Sequence, residues 1–339
     1  MTENTTLVTV TGASGFIALH CVRELLREGY QVRGTLRSLS KEPAVRAALA
    51  LDDEAGARLS FVAANLLEDD GWPAAVAGAQ YVLHVASPVP AVAPEHEDDL
   101  IRPAREGTLR VLRAAQAAGV ARVVLTSSVA AIIHCDKRER GELLDESDWS
   151  DLDQPLPAYD KSKTIAERAA WEYIGSLSGG SPMALAVMNP GYVLGPSLLG
   201  ADNTSNEVIR KLLYRDVPGV PHLQLAIVDV RDVALAHLAA LRAPDAPGKR
   251  FILVSDECWC PELAKVLKEA GYRVPTRSLP NWLVRIVAHF DKTVALVVPD
   301  LGKLMTLSNE QATTLLDWQP RPLDETAVDT ARAIAARMP

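Results

Sequence analysis

Short apolar runs alternate with segments of helical period through the N-terminal half of this chain. Leu7-Val8-Thr9-Val10 has the length and apolar character of a buried strand and stops at Gly12. From Phe16 to Glu28 the apolar residues Ile17, Cys21 and Leu25 recur every fourth position, and Gly29 supplies a stop signal, which predicts a helix. Further strands are predicted at Gln31–Leu36, Leu59–Ala63, Tyr81–Val85, Arg122–Thr126 and Ala184–Met188, with long helical patterns over Leu100–Ala118 and Tyr159–Leu177. Strand–helix alternation of this kind predicts an α/β fold: a doubly wound parallel sheet with helices on both faces.

Past residue 190 the alternation loosens. Pro190, Gly191, Gly195, Pro196 and Gly200 interrupt it, and the helical patterns shorten. Leu225–Val228 and a helix over Val230–Leu241 are expected to return to the main sheet. The chain is therefore expected to divide into a main α/β domain, 1–190 with 223–250 rejoining it, and a smaller interleaved C-terminal lobe. That lobe is expected to be built mainly from 191–222 and 251–339. No internal repeat or low-complexity tract is visible.

Composition removes several classes of function. The 339 residues are 48% hydrophobic and 23% charged, ordinary for a globular protein large enough to bury a core. A net charge of -8 argues against nucleic-acid partners and a basic membrane-binding surface. The apolar stretch from Trp282 to Val298 carries Arg285, His289, Asp291 and Lys292, too many polar groups for a membrane span. Cys258-Trp259-Cys260 has no second Cys/His pair at zinc spacing, so no metal is expected. Cys21, Cys135 and this pair read as reduced thiols of a cytoplasmic protein, and the polar start, Met1 to Thr6, shows no signal peptide.

The candidate chemistry begins where the first strand meets the first helix, at Thr11-Gly12-Ala13-Ser14-Gly15-Phe16-Ile17-Ala18. Gly12 permits a tight turn, Gly15 lets backbone approach a pyrophosphate at the helix N-terminus, and Ala18 allows close helix–strand packing. In that position the motif predicts a Rossmann-type dinucleotide site. The second strand ends in Arg33-Gly34-Thr35-Leu36-Arg37-Ser38, followed by Lys41, with no acid before Glu42. An acid there would hold a ribose 2′-hydroxyl, whereas Arg37 suits a 2′-phosphate, so NADPH is expected over NADH. Asn65-Leu66 falls where the adenine edge is expected. His84 to Pro88 ends the fourth strand on the same rim, with His84 itself read as a packed strand residue.

Tyr159 and Lys163 are four residues apart on a predicted helix, and so lie on one face. A free phenol titrates at about 10, and lowering that by roughly 3 units takes about 4 kcal/mol. A unit charge about 4 Å away supplies roughly this much at an effective dielectric near 20. The pair is thus expected to form an acid/base group tuned by the lysine.

Taken together, these residues resemble the extended short-chain dehydrogenases/reductases, most closely the dihydroflavonol 4-reductase-like and aldehyde or ketone reductase branch. The resemblance runs through Val10–Ile17, Arg33–Arg37, His84–Pro88, Thr126-Ser127-Ser128, Asp145–Trp149, Tyr159–Lys163, Asn189-Pro190-Gly191 and Asp229–Ala234. It implies Ser128, Tyr159 and Lys163 as the catalytic set, with Ser127 as the neighbour of the catalytic serine. It implies cofactor contacts from Thr11, Gly12, Ser14, Gly15, Phe16, Ile17, Arg37, Lys41, Asn65, Leu66, Val85, Ala86 and Ser87. Thr126, Ser127, Tyr159, Lys163, Pro190, Gly191 and Val193 complete that set. Asn65 stands where the family commonly has aspartate. Ile133 stands where plant dihydroflavonol reductases have an asparagine, which favours a more apolar carbonyl compound. Ser87, Val89, Ile133, Tyr192 and Asn206 are the candidate substrate walls.

The expected activity is NADPH-dependent reduction of an aldehyde or ketone by a monomer or homodimer. A nucleotide-sugar epimerase or 3β-hydroxysteroid-type dehydrogenase can share the Ser/Tyr/Lys set, but such enzymes usually prefer NAD, against which Arg37 argues. A non-enzymatic NADP(H)-sensing regulator would commonly lack the Tyr/Lys pair.

Overall fold

The structure, a computed structural model, describes residues 5–87, 96–177, 183–200, 205–289, 294 and 297–337. Among these residues seven strands form one sheet: β1 (Leu7–Val10), β2 (Gln31–Leu36), β3 (Leu59–Ala63), β4 (Tyr81–His84), β5 (Arg122–Thr126), β6 (Ala184–Pro190) and β10 (Arg250–Leu253). Their order is β3-β2-β1-β4-β5-β6-β10, and every pairing is parallel. The doubly wound α/β sheet expected from the sequence is the one observed.

The continuous apolar runs have their cause in this geometry, because side chains alternate between two covered faces. Val124 of β5 and Ala186 and Met188 of β6 join the core under the helices Phe16–Arg27 and Val230–Arg242. Their neighbours Val123, Leu125, Leu185 and Val187 join the opposite core, with Val111, Leu112 and Ala115 of the helix Asp98–Ala117 and Ala170 of the helix Ala158–Ser176. The chain winds outward from β1 to β3, then crosses to β4 on the other side of β1. That reversal opens a crevice at the carboxyl ends of β1 and β4, the usual ligand position in such sheets.

A second sheet joins β7 (Tyr192–Leu194), β9 (Gln224–Asp229) and β11 (Asp256–Trp259), with β9 central. A two-stranded pair, β8 (Val220–Pro221) with β12 (Ser278–Leu279), lies apart from it. The run Leu225–Val228 was expected in the main sheet but forms β9 of this second sheet. Its helix, Val230–Arg242, does pack against Phe16–Arg27 and the main sheet. An apolar run reports that a strand is buried and not which sheet buries it. The edge position is taken by β10, which straddles the boundary drawn at residue 250. Its first residue, Arg250, is only 6% exposed. A charged residue at the head of a buried strand obscures it in the sequence.

Asp229 caps the helix Val230–Arg242 by accepting from Arg231 N–H at 2.7 Å, and Arg231 reaches Asp329 at 2.9 Å. Asp232 accepts from Arg321 N–H at 2.7 Å. The Asp229–Ala234 motif thus ties the C-terminal segment to the main body.

Candidate active site

The chain leaves β1 through a turn that only glycine fits well. Gly12 has φ +66, and a Cβ there would stand 3.0 Å from Ala86 Cβ and 3.2 Å from Ala86 Cα. The Thr11 hydroxyl accepts from Ala86 N–H at 2.9 Å and meets His84 Nδ1 at 2.9 Å. These bonds join the loops after β1 and β4 across the crevice. The helix Phe16–Arg27 then begins at Gly15 with no side-chain cap and no acid in its first turn. Its leading amides and positive dipole end therefore suit an anion. Phe16 and Ile17 pack half-buried on the core behind, and Ser14 is half-buried in the turn.

Beyond β2 the two arginines part. Arg33 is committed to the carbonyls of Ala75 and Ala77, at 3.2 and 2.6 Å, while Arg37 stands exposed past the strand end. Lys41 is exposed at the end of the short turn Leu39–Lys41. Asn65 is engaged within its own loop, donating to Glu68 Oε1 at 2.9 Å and accepting from Leu67 N–H at 3.2 Å. Leu66 packs on Gly107, where a Cβ would come within 2.9 Å of it. A glycine turn, an uncapped helix start and an exposed arginine on one sheet edge fit the phosphates of a dinucleotide carrying a 2′-phosphate.

The Ser/Tyr/Lys set meets at the same edge. Ser128 follows β5, and Tyr159 and Lys163 lie in the first turns of the helix Ala158–Ser176. The Ser128 hydroxyl is near enough to the Tyr159 phenol to favour its ionised form. It accepts from Ala130 N–H at 3.2 Å and so caps the turn Val129–Ala131. Lys163 Nζ lies 5.8 Å from the Tyr159 ring centroid. Burial pushes the Tyr159 phenol up to about 12, Asp160 adds to this, and Ser128 opposes it. The expected lowering of this phenol by Lys163 is therefore not found. Desolvation of the phenolate by burial is the largest influence on this group. Burial also draws Lys163 down to about 8, with Glu167 opposing.

Buried neutral histidines support this edge. Burial pushes His84 down to about 3, and its Nε2 is buried without a partner among the described residues. Thr126 directs its hydroxyl to His237 Nε2 at 2.7 Å, while His237 Nδ1 lies 2.7 Å from the Val233 carbonyl. Since a carbonyl only accepts, Nδ1 carries the proton and Thr126 donates to Nε2. The hydroxyls of Thr126 and Ser127 are thus engaged within the protein, Ser127 with Glu167 at 2.5 Å. Glu167 was not singled out in the sequence, although its spacing of four from Lys163 and eight from Tyr159 places it on their stripe.

The remaining rim follows β4 and β6. Val85, Ala86 and Ser87 are half-buried, Gly191 N–H donates to Leu253 O at 3.0 Å past Pro190, and Val193 is buried in β7. Ile133 packs half-buried on an apolar cluster containing Val129, Ile132, Val254, Met305 and Leu307. Tyr192 is half-buried in β7, and burial pushes its phenol up. Asn206 donates to Gly195 O at 2.8 Å, holding the loop after β7. Val89 lies outside the described residues. All four cysteines are free thiols, and among the described residues no cluster of His, Cys, Asp and Glu suits a metal. No helix among the described residues is long and apolar enough to cross a membrane.

A family model described as the NAD dependent epimerase/dehydratase family matches residues 8–254. The chain is 37% identical over 276 residues to cinnamoyl-CoA reductase 2 of Arabidopsis thaliana, covering 80% of each. It is 38% identical over 275 residues to cinnamoyl-CoA reductase 1 of Oryza sativa subsp. japonica, covering 80% of this chain and 78% of that one. Among solved structures, the yeast methylglyoxal/isovaleraldehyde reductase Gre2 complexed with NADPH superposes with a TM-score of 0.81 at 29% identity, covering 98% of each chain.

Proposed function

The chain belongs to the NAD dependent epimerase/dehydratase family, and from that premise we propose that it is an NADPH-dependent reductase of aldehydes or ketones. The observation that carries this reading is the meeting of Ser128, Tyr159 and Lys163 at the carboxyl edge of the same sheet that carries the glycine turn at Gly12. The reductase relatives and the NADPH-bound yeast neighbour support it. Thr11–Ile17 would hold the pyrophosphate, Arg37 with Lys41 the 2′-phosphate, and Val85–Ser87 and Pro190–Val193 the nicotinamide end. When bound, NADPH supplies the hydride that reaches the carbonyl carbon.

The protein's share is to bind the carbonyl oxygen and hand it a proton. Ser128 donates a hydrogen bond to that oxygen as negative charge develops. Tyr159, held near 12, stays protonated at neutral pH and is the proton donor. Lys163 offsets the phenolate left behind and binds the nicotinamide ribose, provided that it is charged, which holds below about pH 8. The apolar cluster beside Ile133 suits an aromatic or medium aliphatic carbonyl compound, and Ile133 itself offers no polar anchor for a hydroxylated flavonoid ring. Residues 191–222 and most of 251–339 would form the substrate lobe.

Mixing the protein with NADPH and a panel of aldehydes and ketones, and following nicotinamide absorbance, tests this reading. Stoichiometric NADPH consumption with alcohol formation is expected. Turnover of a nucleotide sugar without net NADPH consumption would replace it with the epimerase reading.

A further inference from the structure

Glu167 projects from the same face of the helix Ala158–Ser176 as Lys163 and Tyr159, one turn beyond the lysine. It is 1% exposed, and its carboxylate gathers donors from four elements. Ser127 Oγ, just past β5, donates to Oε2 at 2.5 Å, and Asn189 Nδ2 on β6 donates to the same oxygen at 2.8 Å. Arg250 Nε on β10 donates to Oε1 at 2.6 Å, and Trp171 Nε1 on the same helix reaches it at 3.4 Å. Asn189 Nδ2 also donates to the Ser128 carbonyl at 3.1 Å. Arg250 is fixed in turn, its guanidinium 3.8 Å from the Trp149 ring centroid and its Nη1 donating to the carbonyls of Glu146 and Asp148.

A buried ion pair is a poor means of filling a core, because desolvation of both charges offsets most of their attraction. What it supplies is direction. A planar carboxylate with its donors in place fixes β5, β6, β10 and the catalytic helix relative to one another within hydrogen-bond tolerance. We propose that Glu167 is a positioning residue for the Ser128–Tyr159–Lys163 site. It clamps Ser127 directly and the Ser128 backbone through Asn189, and it provides the counter-charge that keeps the Lys163 ammonium in place. This inference deepens the carbonyl-reductase reading and rests on it.

The groups that face Lys163 are Tyr159 and Glu167 from its own helix and His84 from the end of β4. The phenol is protonated and the imidazole neutral across neutral pH. Glu167 is therefore the charge whose removal Lys163 will register, losing its proton at lower pH.

The test compares the wild type, Glu167→Gln, the double variant Glu167→Leu/Arg250→Met and Tyr159→Phe. It reads kcat, its pH profile, NADPH affinity by tryptophan fluorescence, and thermal unfolding. A displacement of reacting groups by about 1 Å costs on the order of 10²-fold in rate, so Glu167→Gln should lower kcat by about that factor. Its alkaline limb should move to lower pH, and NADPH affinity should fall by less than kcat does. Breaking one side of a buried pair can prevent folding, so the double variant, which removes both charges together, carries the expectation of a lowered kcat, while the limb shift is read in Glu167→Gln, where the negative charge alone is lost. Either folded variant with wild-type kcat, or a folded Glu167→Gln with lowered kcat and an unmoved limb, overturns the proposal. Activity retained by Tyr159→Phe would instead overturn the catalytic reading, whatever Glu167 does.

Discussion

At the scale of single residues, the proposed chemistry depends on two groups whose protonation is set by burial, Tyr159 and Lys163. Tyr159→Phe keeps the ring and its packing but removes the proton donor. Loss of general acid catalysis costs about 10²–10⁴-fold, so kcat should drop by that much while NADPH still binds. A variant keeping more than about a tenth of wild-type kcat would require another donor. Lys163 titrates near 8 and Tyr159 near 12, so the reduction rate should decline as pH rises through about 8, where the lysine loses its charge. A flat rate from neutral pH to 10 would contradict that assignment. Arg37→Ala should raise the KM for NADPH strongly and leave that for NADH nearly unchanged, because the guanidinium is exposed where only the 2′-phosphate would meet it. Equal responses to the two cofactors would remove Arg37 from the site.

At the scale of elements, the turn between β1 and the helix Phe16–Arg27 has the least room for change. Gly12→Ala would place a side chain at φ +66 with its Cβ 3.0 Å from that of Ala86. The left-handed conformation alone costs about 1–2 kcal/mol for a residue with a Cβ. If the turn shifts to relieve this, the leading amides of the helix shift too. NADPH affinity should weaken by roughly tenfold or more, with only a modest fall in the unfolding temperature. An unchanged Kd would show that this turn does not set the phosphate position.

At the scale of the whole molecule, three buried histidines make the fold sensitive to acid. His20 and His237 are pushed down to about 4 and His84 to about 3, chiefly by burial, from an ordinary 6.5. A histidine depressed in the folded state contributes stability above its unfolded pKa, and this is lost as pH falls toward the folded value. Between 6.5 and 4 the unfolded chain therefore binds more protons. Each such histidine removes up to about 1.4 kcal/mol per pH unit. Urea-unfolding midpoints should fall steeply between neutral pH and about pH 5. Identical midpoints would show that these side chains are hydrated or already charged in the native state.

By itself the sequence determined what local pattern encodes. Six strands of the main sheet and the first helix appear where apolar period and glycine stops put them, with ends agreeing to within two residues. Gly12 and Gly15, Arg37, and the Tyr159/Lys163 spacing were legible because each motif is short and tied to one element end. Only the tertiary structure decided matters that depend on which element faces which. It placed β9 in the second sheet and Arg250 at the buried head of β10, since apolar character gives no partner and a paired charge looks exposed. It raised Tyr159 where spacing alone suggested lowering, because burial is a property of the assembled site. It also brought Ser127, Asn189 and Arg250 onto Glu167 across separations of 40, 22 and 83 residues, distances at which sequence spacing carries no geometric information.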